Sequence, residues 1–483
     1  MDSSRLLAHL KIESAQNRAH ALIEEVARLK NKTYSSPASK KILDFVSEAA
    51  AAINLLLEKA VGDAEILRPA ELDVRLHRII KVIPYLHTLL GFIEGSEIAK
   101  APGQLVQPLR RYVRSVLPNS DIVVSSRIEL NYSIREIVAA IRKAFSETPP
   151  PLASGCEKLP KLLFIVNIPA IESEQILIHA ILSHELGHAL YNEHKLASIL
   201  LPAVEIKHDM IKNLANIIKT GETESLPMSE IWLRQYITEQ VKQRISRWVM
   251  ELSADAIGVY LFGPALYFAS TTLMSSVSHI DRCSASHPPP RLRVKLMTRM
   301  LKKIFASAGE DDTGEDNTGY SIDKWHHKLQ ELLTAWESIS SETVVLRAPL
   351  DQIAVESLDK PEIFDLIEKL TFSAVPEEQR YDSTKLRFAV DNLVPLVLNG
   401  VPPGELGPLG REIPAELASI INAGWHVYLC QLDQFGTRLH RSVTSSRLAT
   451  AGALRRLVLK ALEISDMRIS WEEAKRDSEQ RTD

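Results

Sequence analysis

At 483 residues, with 45% apolar and 24% charged side chains, the chain exceeds what one hydrophobic core serves, which implies two or three domains and excludes general disorder. A formal charge of -4 and a pI near 6.5 argue against nucleic acid or an anionic membrane surface as the main partner. An aromatic share of 6% and only 19 glycines point to a helix-rich protein.

From Arg5 to about Val116 apolar residues recur at three and four, as in ALIEEVARLK and ILDFVSEAAAAINLLL, so residues 1–118 read as a helical bundle. The opening MDSSRLLAHLKIESAQ has no apolar signal core, and export is not expected. Cys156, Cys283 and Cys430 are odd in number and lack a C-x-x-C pattern, which fits a reducing, cytoplasmic setting without structural disulfides. At LPNSDIVVSSRIELNYSI the β-branched residues predict a strand or hairpin over residues 121–132, opening a domain assigned to 119–305. IREIVAAIRKAF then reads as a helix. After TPPPLASG, the run KLLFIVNIP reads as a buried or edge strand on which an extended peptide can align.

One long helix is predicted from Ser173 to about Ile199 and another from about Ser229 to Phe262. The uncharged run Ala256 to Val277 reaches membrane-spanning length. Its Gly263-Pro264 pair and its Ser and Thr residues favour two buried helices meeting at that break, with no stable membrane insertion. Residues 306–321 are acidic and Gly-rich and read as a flexible linker. Residues 322–483 read as a mostly helical accessory region, interrupted by a long loop at PLVLNGVPPGELGPLG.

The chemistry concentrates in HELGH, His184 to His188. On a helix the i and i+4 imidazoles share a face and can reach one zinc ion, with Glu185 beside the remaining coordination position as a general base. A catalytic zinc needs a third protein ligand. MELSADAIG offers Glu251 and Asp255, again at i and i+4, in a segment apolar nearly all round. One carboxylate there can bind the metal while the other orients a ligand imidazole, a division that assigns Glu251 to the metal and Asp255 to the imidazole. His194 competes as third ligand through its offset of ten residues from His184 but lacks the glycine break that route requires. His179 is turned away from the metal face. His287, pinned by Pro288, Pro289 and Pro290, is either an exposed imidazole in a Pro-rich turn or a rigid group beside the site, able to stabilise an oxyanion or occupy the open position.

HELGH, ELSAD and SHPPPRLRV, in that order, resemble the gluzincin peptidases of the CAAX prenyl-endopeptidase and HtpX heat-shock protease family. The resemblance covers roughly residues 120 to 300. It implies a mainly α, zincin-like domain with a small β-sheet, flanked by helical domains. It also implies zinc on His184, His188 and Glu251, a base at Glu185, a supporting Asp255, and a site-proximal His287 with Arg293 as its arginine. The chain departs from the family in lacking a convincing membrane span and in placing Leu252 where an aromatic residue often stands. Arg291 competes with Arg293 for the family's single arginine.

The expectation is a zinc-dependent endopeptidase acting on protein or peptide substrates, with a regulatory protein partner possible through the helical flanks. One rival is a non-catalytic zinc protein whose flanks bind that partner. Another uses the basic helix RLRVKLMTRMLKKIF as a membrane or nucleic-acid contact.

Overall fold

The computed structural model describes residues 3–66, 68–129, 131–221, 229–277, 283–309, 322–340, 348–406, 413–439 and 446–480. These are mainly helical with one small mixed sheet, and they form two compact units, Met1–Glu174 and Gln175–Asp483.

The first unit opens with helices α1 (Ser3–Lys30), α2 (Pro37–Ile66), α3 (Pro69–Ile80), α4 (Ile83–Gly95) and α5 (Gly103–Val116). On α1 the buried stripe runs Ile12, Ala15, Ala19, Leu22, Val26 and Leu29, an alternation of threes and fours that faces a like stripe on α2. Strands β1 (Ser120–Arg127), β2 (Ser133–Glu136) and β3 (Leu162–Pro169) form the sheet, with α6 (Val138–Phe145) and the single turn α7 (Pro150–Ala153) between β2 and β3. Val123, Leu163 and Ile165 join the helical core.

The sheet order is β1-β3-β2, with β1 parallel and β2 antiparallel to β3. This bears on two expectations. Of the strand or hairpin expected over residues 121–132 the strand forms, as β1, and the hairpin does not, because β1 and β2 each pair with β3 and not with one another. KLLFIVNIP is the central strand, its ladder occupied on both sides, so it offers no edge to a peptide. The helix expected from IREIVAAIRKAF begins only at Val138. Ile134 is held opposite Val166 in the sheet, and the Glu136 carboxylate accepts from the backbone N–H of Val138 at 2.6 Å, capping α6.

The second unit contains α8 (Leu182–Glu193), α9 (Ala197–Ala203), α10 (His208–Gly221), α11 (Glu230–Phe262), α12 (Pro264–Val277) and α13 (Pro290–Gly309). It continues through α14 (Ile322–Ser340), α15 (Pro349–Leu358), α16 (Pro361–Ala374), α17 (Ser383–Phe388) and α18 (Val394–Leu398). A two-residue pairing of β4 (Glu405–Leu406) with β5 (Ile413–Pro414) follows, then α19 (Leu417–Cys430), α20 (Leu432–Arg438) and α21 (Arg447–Gln480). α18 takes up the first four residues of the expected loop at PLVLNGVPPGELGPLG and β4 two more, residues 399–404 are loop as expected, and residues 407–412 lie outside the described residues. The 306–321 linker falls there too from residue 310 onward, while its first residues finish α13.

The single helix expected from Ser173 to Ile199 is divided. A 3₁₀ turn at Ile178–Ile181 leads into α8, and a positive φ of 51° at Lys195 separates α8 from α9. α11 has the expected extent, with Ser229 as its N-cap: the Ser229 hydroxyl accepts from Trp232 N–H. It stops at Gly263, φ 56°, where a Cβ would meet the Tyr381 ring at 2.3 Å. Asn422 of α19 satisfies the broken backbone, its Nδ2 donating to Phe262 O and its Oδ1 accepting from Ala265 N–H. Among the described residues no helix is long and apolar enough to cross a membrane.

The basic face of α13 is already engaged. Lys295 pairs with Asp359 at 2.5 Å, Arg299 with Asp365 and Glu368, and Lys303 with Glu368. α16 supplies most of the neutralising charge, which removes the main support for a membrane or nucleic-acid contact there. All three cysteines are free thiols.

Candidate metal centre

α8 and α11 build the site by lying unusually close. Gly187 on α8 leaves no room for a side chain, since a Cβ would stand 2.6 Å from the Ala254 carbonyl oxygen of α11. Gly258 on α11 answers it, with a Cβ position 3.1 Å from the His184 nitrogen. Glycine inside a helix costs roughly 1 kcal/mol against alanine, so a packing reason is needed, and close approach of the two backbones is that reason. In the sequence the only trace of this contact is the mid-helix placement of the two glycines.

This approach brings His184, His188 and Glu251 together, with one potential ligand atom from each lying within 4.8 Å of the others. Nε2 of His184 is 3.4 Å from Oε2 of Glu251, and Nε2 of His188 is 3.4 Å from Oε1. A tetrahedral zinc with bonds of about 2.0–2.1 Å has ligand-to-ligand edges of about 3.3–3.4 Å, the same spacing. Glu251 is buried, and its Oε2 accepts no hydrogen bond among the described residues. A buried carboxylate oxygen aimed between two imidazoles and left without a donor is suited to a cation, and two nitrogens with one oxygen suit zinc.

Asp255 and Arg293 support this set. Asp255 is fully buried; its Oδ1 accepts from His184 Nδ1–H at 2.8 Å, and both its oxygens accept from the Arg293 guanidinium at 2.7 Å. Nη1 of Arg293 also reaches to 4.0 Å from Glu251. Arg293 is thus the inward arginine of the pair. Arg291, two residues earlier on α13, is exposed.

Burial alone would push His184 down, but Asp255 on one nitrogen and Glu251 near the other raise it to about 10. Burial and the charge of His184 push His188 down to about 4. Burial raises the Glu251 carboxyl, yet neighbouring His184 and Arg293 outweigh it and hold it at about 2. Asp255 is held far below the usual carboxylate range because Arg293 and His184 overcome its burial.

His287 is exposed, with Nε2 3.7 Å from Glu251 Oε1 and Nδ1 2.9 Å from the Ser286 hydroxyl. Its turn is pinned by more than prolines: Trp248 of α11 donates through Nε1 to Ser284 O, and Ser284 N–H donates to His287 O. Trp248, fully buried, is a further positioning residue that the sequence reading did not single out. Glu185, half-buried in the first turn of α8, adds its negative charge to the field at Arg293. His194 ends α8 as an exposed C-cap outside the ligand cluster, and His179 is buried away from it. Leu252 is fully buried, as a packing residue would be.

Residues 115–301 match the model of Peptidase family M48. No curated protein and no solved structure matches the chain. The matched segment runs from the end of α5 into α13 and contains every residue of the cluster, which supports a relative of the zinc metallopeptidases with a zincin-like catalytic region, helical flanks and peptide substrates.

Proposed function

We propose, on the premise of that M48 region, that the chain is a zinc-dependent endopeptidase. In this reading His184, His188 and Glu251 hold the ion, and the chain is a functional relative of the CAAX prenyl-endopeptidase and HtpX proteases. The observation that carries it is the Glu251 carboxylate standing 3.4 Å from both imidazole Nε2 atoms with a buried, undonated oxygen. A zinc ion bound there supplies a Lewis acid that acidifies water and polarises a peptide carbonyl.

The protein's own groups do the rest. Asp255 keeps the His184 proton on Nδ1, leaving Nε2 free to bind, and Arg293 keeps Asp255 in place. Glu185, next to a ligand histidine, takes the proton of the attacking water. His287, with Nδ1 engaged by Ser286, presents Nε2 toward the site as a donor for the developing oxyanion. In this reading the substrate-processing region is residues 119–305, which takes in parts of both compact units, with a helical N-terminal bundle before it and a C-terminal helical region after it, and the chain acts in the cytoplasm.

The test is a purified Glu185→Gln protein. It retains zinc while peptide cleavage falls by roughly 10²–10⁴-fold, and wild-type cleavage by the zinc-loaded variant overturns the assignment. Glu251→Ala, in contrast, fails to retain zinc.

A further inference from the structure

A second site lies wholly within the first unit, where no part of the proposed peptidase chemistry uses it. At the N-terminal ends of the parallel strands β1 and β3 is a cleft of about 620 Å³ lined by Lys41, Arg114, Asn119, Ser120, Asp121, Pro160 and Lys161. That volume falls within the range of small-molecule sites.

Its charge is strongly one-sided. Asp121 is the only carboxylate in the lining, and it is already engaged by two guanidiniums, Arg110 at 2.6 Å and Arg114 at 2.9 Å. Lys41 and Lys161 project as exposed ammonium groups. Glu48, two turns along α2 from Lys41, is taken by Lys158 at 2.6 Å. Three lining cations, Lys41, Arg114 and Lys161, against one carboxylate leave a surplus of two positive charges.

Ser120 lines the cleft while its side chain is buried beneath it, 3% exposed. Asn119 beside it turns the chain from α5 into β1 with a left-handed backbone, φ 65°.

We infer that this cleft binds a small anion carrying phosphate or pyrophosphate, with Lys41 and Lys161 neutralising its charge. Lysines act on phosphate as mobile point charges, and the surplus calls for a multiply charged group more than a single carboxylate. The cavity exceeds an inorganic phosphate, so the natural ligand carries an organic portion as well.

The test is calorimetric titration of the full-length chain with pyrophosphate, with sodium sulfate at equal ionic strength as the control. Saturable binding is expected for pyrophosphate, weakened about tenfold or more in the Lys41→Gln/Lys161→Gln double variant. Both lysines are exposed, so the double variant keeps the wild-type melting temperature without ligand. Pyrophosphate should raise that temperature in the wild type alone. Equal binding by wild type and a normally folded double variant overturns the proposal, and so does the absence of saturable binding to wild type. Either result leaves peptide cleavage at His184, His188 and Glu251 untouched.

Discussion

Arg293 has the most demanding position of any side chain in the centre. It is buried beside fully buried Asp255 and touches it through two hydrogen bonds of 2.7 Å. Breaking such a pair by removing one partner strands a charge, at a cost of about 3–5 kcal/mol. Arg293→Met is therefore expected to lower the unfolding free energy by about that much, read from denaturant curves. Arg293→Lys, which keeps the charge but loses the planar fork, is expected to lie between the two. A fully stable Met variant would contradict this account of Asp255.

The protonation of His184 has its own consequence. Its folded value is raised to about 10, so near pH 7 an arriving ion must displace one proton, whereas His188, lowered to about 4, is already neutral. Apparent zinc affinity is expected to rise about tenfold per pH unit from pH 6 to pH 9. Chelator competition across that range measures it, and a flat profile contradicts the proposed role of His184.

At the scale of elements, the crossing of α8 and α11 decides whether the ligands meet. Gly187→Ala offers up to about 1 kcal/mol of helix propensity. It also places a methyl 2.6 Å from the Ala254 carbonyl oxygen, and the three atoms it meets, Ala254 O, Cα and C, are all backbone and cannot swing aside. Overpacking of this kind costs about 1–3 kcal/mol and here acts by parting the helices. The variant is expected to melt lower than wild type and to bind zinc more weakly, measured by calorimetry and metal analysis. Gly62, with nothing within 4 Å of its Cβ position, is the matched control whose alanine variant should leave metal binding unchanged.

At the scale of the molecule, the region after the acidic stretch belongs to the same compact unit as the HELGH helix. α19 completes the backbone at the α11–α12 break through Asn422, and its Trp425 donates to Leu177 O just before the 3₁₀ turn that leads into α8. α16 holds α13, the helix that carries Arg293, through Asp365 and Glu368. A chain ending at residue 309 is therefore expected to lose cooperative unfolding and zinc together, measured by circular dichroism and metal content. A truncated protein that keeps both would show the C-terminal helices to be separable.

What the amino-acid order determined alone is whatever a single helix dictates. Its 3.6-residue turn puts His184 beside His188 and Glu251 beside Asp255, and Gly263-Pro264 stops a helix wherever it stands. Distant partners are a different matter. Arg291 and Arg293 sit roughly 200° apart around one helix, and only the rotation of α13 against α11 selects Arg293. Strand order was equally closed to local reading, because KLLFIVNIP has the same apolar pattern at an edge or at the centre. The close approach at Gly187, the cap from Asn422, the hold of Trp248 on the His287 turn and the basic cleft in the first unit all join residues far apart in the chain. Packing decides such meetings, since periodicity fixes which face a side chain takes but not what the fold sets opposite that face.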